Sequence, residues 1–172
     1  TGISSRFSDA FCKELKDNEG LESLAITDSF MNHEQAQRLG AAVRDHKTLR
    51  RLILRGNAIH SSGIELLAKQ IGGNTVLTHL DLDENGIGPD FPLCVVLALP
   101  SLAKLNLYGN HIAKVPHKFF REPPPQLEDV DLRMNSIKAS ELAKTPPPPR
   151  WLVRDQHSSS KIVSRRRASI CA

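Results

Sequence analysis

Residues 77–87 read LTHLDLDENGI, and four other stretches share their spacing. LESLAITDSFM starts at Leu21, LRRLILRGNAI at Leu49, LAKLNLYGNHI at Leu102 and LEDVDLRMNSI at Leu127. The starts lie 28, 28, 25 and 25 residues apart. All five follow LxxLxLxxN and close on Ile or Met two residues later, with Ile26 and Val130 each in one leucine slot and Ser29 in the first Asn slot. A unit of this length cannot bury its apolar side alone. Regular repetition therefore predicts stacked units sharing one continuous core.

The pattern assigns local structure. The xLx centre of each copy is a short strand, near residues 23–25, 51–53, 79–81, 104–106 and 129–131. Stacking these strands gives a curved parallel sheet with the leucines directed inward against those of neighbouring copies. Asn57, Asn85, Asn110 and Asn135 turn the chain out of each strand, and their amides can bond the backbone of the next copy. They are read as a structural Asn ladder.

The first two 28-residue units resemble the ribonuclease-inhibitor class of leucine-rich repeat. In the fourth unit, Val115, Pro116 and Phe120 form a V-P-x-x-x-F that resembles the shorter, commoner repeat. The resemblance covers about residues 21–142 and implies an α/β fold: a right-handed solenoid, its parallel sheet concave, its helices and irregular segments convex. The superfamily includes ribonuclease inhibitor, the sensor ends of NOD-like receptors, tropomodulin and Ran GTPase-activating proteins. The Ran activators have longer arrays and acidic tails, so the resemblance does not carry their activity here.

Between strands, Asn32 with Gln35 suits a helix cap, and Ala36, Leu39 and Val43 give an apolar stripe. Ser62 and Glu65 have capping-box spacing ahead of Ile64, Leu67, Ala68 and Ile71, with Gly72 and Gly73 stopping that helix. Later return segments are shorter and richer in proline, so helices are expected mainly on the first half of the convex side. Residues 1–20 read as an amphipathic helix carrying Ile3, Phe7, Phe11 and Leu15, either a cap or the return helix of an upstream repeat. Residues 21–144 hold the five repeats, and 145–172 read as a proline-rich linker and basic disordered tail. Within that tail, Trp151, Leu152 and Val153 either fold back on the last repeat or remain free.

The formal charge of +4 is unevenly placed. Residues 145–172 carry six Lys or Arg and one acid, which leaves the remainder slightly negative. The three cysteines have no disulfide or zinc spacing, and Cys94 is expected to be a buried core thiol. No metal or cofactor is expected. The start of the chain lacks a secretion-signal pattern, and no stretch is long and apolar enough for a span. A cytoplasmic location is expected, with nuclear or cytoskeletal association left open. Arg166, Arg167 and Ser169 fit R-R-x-S, making Ser169 a candidate phosphorylation site, and the tail could touch nucleic acid through its arginines.

The non-leucine strand positions form the candidate partner-binding face: Arg51, Ile53, Arg55, Asp81, Asp83, Lys104, Asn106, Tyr108, Asp131 and Arg133. Charge alternates in sign along these rows, which serves either recognition or stacking of the sheet itself. Asp81 and Asp83 lie two apart, a spacing acid–base pairs also use, but this fold offers no deep pocket behind them. No catalytic residue is assigned and no small-molecule substrate is expected. The reading is a non-catalytic scaffold or adaptor that binds a protein partner through the concave face, within a larger assembly; the alternative is a regulator of a small GTPase or other signalling enzyme.

Overall fold

The computed structural model describes residues 9–153. Ile3, Phe7 and Ser169, and the part of the basic tail after Val153, lie outside them. Five three-residue strands, β1 (Ser23–Ala25), β2 (Arg51–Ile53), β3 (His79–Asp81), β4 (Lys104–Asn106) and β5 (Asp129–Asp131), pair in sequence order as one parallel sheet. The register follows the repeat: Leu24, Leu52, Leu80, Leu105 and Val130 are direct partners. The expected α/β solenoid with a parallel sheet is present. Because neighbouring side chains in a strand point to opposite faces, this register sends one leucine row inward and the residues beside it outward.

Among the described residues, α1 (Asp9–Asp17) precedes the first strand, α2 (His33–Val43), α3 (His60–Ile71), α4 (Leu93–Ala98) and α5 (His117–Arg121) connect successive strands, and α6 (Ala139–Lys144) follows the last. The connecting helices α2 and α3 have 11 and 12 residues, and α4 and α5, in the shorter return segments, have 6 and 5. In α2 the Asn32 side chain accepts from the Gln35 amide while Gln35 accepts from the Asn32 amide, a complete capping box. At α3 the sequence expectation fails. The helix begins at His60, not behind Ser62, and Ile59 before it offers no side-chain cap. Ser61 instead bonds across the stack, accepting from the Gly88 amide and donating to the Gly88 carbonyl, both at 2.9 Å.

The core is continuous. Leu49, Leu52, Leu54, Leu77, Leu82, Leu102, Leu107 and Leu132 are fully buried. Cys94 is a correction: it is half-buried, beside the core and not inside it, and burial still pushes its thiol pKa up.

Two backbone devices accompany the strands. The residue before each Asn slot is left-handed in all five copies: Asp28, Gly56, Glu84, Gly109 and Met134. At Gly56 (φ 66) a Cβ would also meet the Asp28 carboxylate, so a larger residue there would have to displace that side chain. The second device repeats every 28 residues before the first three strands. Asn18 Oδ1 accepts from the Gly20 and Leu21 amides, His46 Nδ1 from Thr48 and Leu49, and Asn74 Oδ1 from Val76 and Leu77. His46 acts as a neutral acceptor, and burial lowers its pKa accordingly.

A sixth rung closes the far end. Leu152 forms a parallel bridge to Asp131; its amide donates to the Val130 carbonyl at 2.8 Å and its carbonyl accepts from Leu132 at 2.7 Å. These bonds repeat those between earlier rungs, where Leu107 donates to Asp131 and Leu82 to Asn106. Trp151 and Val153 take the inward slots and are buried. The indole packs on Phe119 (5.0 Å between centroids) and Phe120 (5.9 Å), and Phe119 continues to Phe91 at 4.6 Å. The packed unit thus runs past residue 144 to at least Val153.

Candidate binding face on the sheet

The outward residues form rows because the strands are in register. One row holds Ser23, Arg51, His79, Lys104 and Asp129, and the next holds Ala25, Ile53, Asp81, Asn106 and Asp131. The sixth rung adds Leu152 to the second row, with Arg150 two residues before it, in the first. Between the rows lies a groove of about 580 Å³ from Arg51 to Arg150, floored by Leu80, Leu105 and Val130.

Six candidates from the sequence line this groove: Arg51, Ile53, Asp81, Lys104, Asn106 and Asp131. The other four, Arg55, Asp83, Tyr108 and Arg133, lie in a third row that does not line it. That row is engaged internally. Arg55 Nε meets Asp83 Oδ2 at 3.1 Å, and Arg133 grips Asp131 through Nε and Nη2, the shorter contact being 2.6 Å. Its guanidinium also lies 5.7 Å from the Tyr108 ring centroid. Tyr108 is half-buried, not the exposed anchor its position suggests. In this row sign alternation links neighbouring rungs, and Lys104 with Asp129 at 3.2 Å does the same in the first row.

Sequence reasoning assigned neither Arg150 nor Leu152 to the face, since the sixth rung lacks the leucine pattern. The available signal was the apolar alternation Trp151-x-Val153, with Pro148 three residues before Trp151.

The Asn ladder runs beneath the face. Asn110 Oδ1 accepts from the amides of Asn85 and Ile87, and its Nδ2 lies within bonding distance of the Leu82, Leu107 and Tyr108 carbonyls. Asn57 does the same two units earlier, accepting from Ser29 and Met31 and donating to Ile26 and Leu54. Asn85 is the exception. Its Nδ2 donates to Leu54 and Asp83, but its buried Oδ1 has no partner. The turn above it enters α3 early: Ile59 is already helical, His60 is at φ 56, and the His60 amide goes to the Asn85 carbonyl.

Asp83 is the unusual ionisable group. Its side chain is buried, its Oδ1 has no hydrogen bond, and loss of hydration raises its pKa to about 6 against the opposing pull of Arg55. A raised carboxyl pKa means the folded state holds the proton more tightly than the unfolded chain. Its contribution to stability is therefore fully present below pH 4 and is lost as pH rises through about 6. Asp83→Asn should gain stability relative to the original chain, by about 1–3 kcal/mol, between pH 4 and pH 7. Urea melts of both proteins at the two pH values check this, and effects of His46 cancel because both carry it. A constant difference across the range would show that Asp83 is not a buried carboxylate.

Among the described residues no cluster of three or more His, Cys, Asp or Glu could hold a metal, and no helix is long and apolar enough to cross a membrane.

Comparison with known proteins agrees with this geometry. The family model "Leucine Rich repeat" matches residues 45–68 and 73–90, the second and third units. Twenty-nine solved chains match. One is "Leiomodin-1 Actin-Binding Site 2 (ABS2)", at 19% identity and a TM-score of 0.54, covering 60% of this chain and 64% of that one. The fold is a leucine-rich-repeat solenoid. The ribonuclease-inhibitor subclass suggested by the 28-residue units is a finer assignment that rests on spacing alone. The chain spans just under two thirds of the leiomodin structure, and at this identity the likeness concerns fold. No curated protein sequence matches.

Proposed function

We propose that this leucine-rich-repeat protein is a non-catalytic interaction module that holds a protein partner on the outward face of its sheet, in the groove between Arg51 and Arg150. The observation that carries this reading is the groove itself: about 580 Å³, lined by side chains from five successive rungs, with Leu152 half-exposed at one end. Residues there are freed from core duty by the strand alternation, so the sheet can present them without loss of packing. The groove is open and shallow, and its acids are placed for recognition: Asp131 is clamped by Arg133, and Asp81 accepts the Asp83 amide at 3.0 Å. Neither is positioned as a general base beside a nucleophile.

Asn106 sits at the centre of the groove and outside the core, so Asn106→Trp fills the groove at the cost of one hydrogen bond, that from the Tyr108 amide to Asn106 Oδ1 at 3.0 Å. This variant should lose at least about tenfold in affinity for a partner held there. The leiomodin structure is that of an actin-binding site, which makes actin the first partner to try. Sedimentation with filamentous actin and capture of monomeric actin, with original chain and variant side by side, make that check. Partners recovered from cell extract should be lost from the variant. If each partner is retained equally by both proteins, the groove is not the binding site.

A further inference from the structure

The groove's charges are not all compensated, and those left over define a ligand. Lys104 is neutralised by Asp129 and Asp131 by Arg133. Burial and the neighbouring Arg51 and Lys104 lower the pKa of His79, which favours its neutral form. The side chains of Arg51 and Arg150 are exposed and form no ion pair or hydrogen bond among the described residues, and each lies beside an accessible aliphatic side chain, Ile53 or Leu152. Asp81 is the acid left between them. The two ends of the groove therefore repeat one chemistry, a guanidinium next to a branched aliphatic. They are four rungs apart, roughly 19 Å at about 4.8 Å per rung.

Size selects the form of the ligand. Six rungs present on the order of 400 Å² of sheet face, against about 800 Å² that a folded partner buries per side in an ordinary complex. A linear segment fits this area. About six extended residues cover 19 Å.

Resting on the binding-face reading above, we propose that the groove takes an acidic linear peptide segment of a partner protein, lying across the rungs with one carboxylate at Arg51, a second at Arg150, and aliphatic side chains against Ile53 and Leu152. The two arginines give bidentate recognition at either end. Asp81 disfavours acid at the centre, so acids at both ends with a neutral or basic middle are preferred over a uniformly acidic run.

The test uses the 172-residue chain against an immobilised array of random octapeptides. Enrichment of peptides bearing Asp or Glu five to seven residues apart is expected. Arg51→Glu and Arg150→Glu should each weaken those peptides roughly tenfold, and the double variant should switch enrichment to Lys and Arg. Both arginines are exposed, so their reversal leaves the core intact, and circular dichroism of each variant is the check on folding. If the double variant keeps the acidic preference, or if a single-stranded DNA oligomer outcompetes every acidic peptide, the proposal is wrong. The Asn106→Trp chain separates the two levels. Array binding abolished by Asn106→Trp but indifferent to both charge reversals refutes the acidic ligand and leaves the face as the site. Binding untouched by Asn106→Trp refutes both.

Discussion

Asn110→Ala is expected to lower the unfolding free energy of the chain by about 3–5 kcal/mol, against about 1–2 kcal/mol for Asn85→Ala. The two residues occupy the same slot of adjacent repeats and differ in what they satisfy. Asn110 accepts from two backbone amides, those of Asn85 and Ile87, and serves the carbonyls of Leu82, Leu107 and Tyr108. Alanine leaves the two amides and the Leu82 carbonyl buried without a partner, the Tyr108 carbonyl being only part-buried, and each buried orphan costs about 1–3 kcal/mol before relaxation. Asn85 donates to two carbonyls and accepts nothing through its side chain. Urea denaturation of both variants gives the comparison. Equal losses would mean the ladder at Asn85 is as complete as at Asn110, contrary to the geometry of the α3 entrance.

The second large effect is expected at Trp151. Trp151→Ala should cost about 3–5 kcal/mol, and Trp151→Phe much less. The indole is buried against Phe119 and Phe120, so its removal opens a cavity beneath the last rungs. A solenoid unit contacts only its neighbours, so the loss falls on the C-terminal end. Amide hydrogen exchange should quicken in β5 and α5 while β2 and α3 keep their protection. Unchanged stability in Trp151→Ala would mean residues 150–153 are not a rung of the sheet, and with them the Arg150 end of the groove would go.

How far the sequence could be read follows from these residues. The strands and their register were legible because one leucine spacing, five times repeated, fixes both the inward row and the in-register stacking. The sixth rung was hidden. Its inward residues are Trp151 and Val153 instead of leucines, its offset from the fifth rung is 21 residues, and a run of four prolines precedes it. The helix caps divided by geometry. Asn32 and Gln35 act locally, so their spacing was enough. Ser61 bonds Gly88, 27 residues away, and no local pattern contains that contact.

On the face, residue type and row number were legible but depth was not. Arg55, Asp83, Tyr108 and Arg133 lie two residues past the end of their strands, where the chain has begun to turn. Their side chains pair with one another beside the groove. The 28-residue recurrence of Asn18, His46 and Asn74 was present in the sequence as well. It escaped because a histidine acceptor in the middle copy masks an otherwise plain Asn repeat.

The account rests on the outward face of the sheet being where a partner sits, and site-specific photo-crosslinking tests it most directly. A photoreactive amino acid at Asn106, in the centre of the groove, is compared with one at Leu97, 73% exposed on α4 across the solenoid. Irradiation in cell extract should yield a discrete crosslinked partner from position 106 and none from position 97. The same partner captured from position 97 and not from 106 would contradict the assignment and place the binding surface on the helical side.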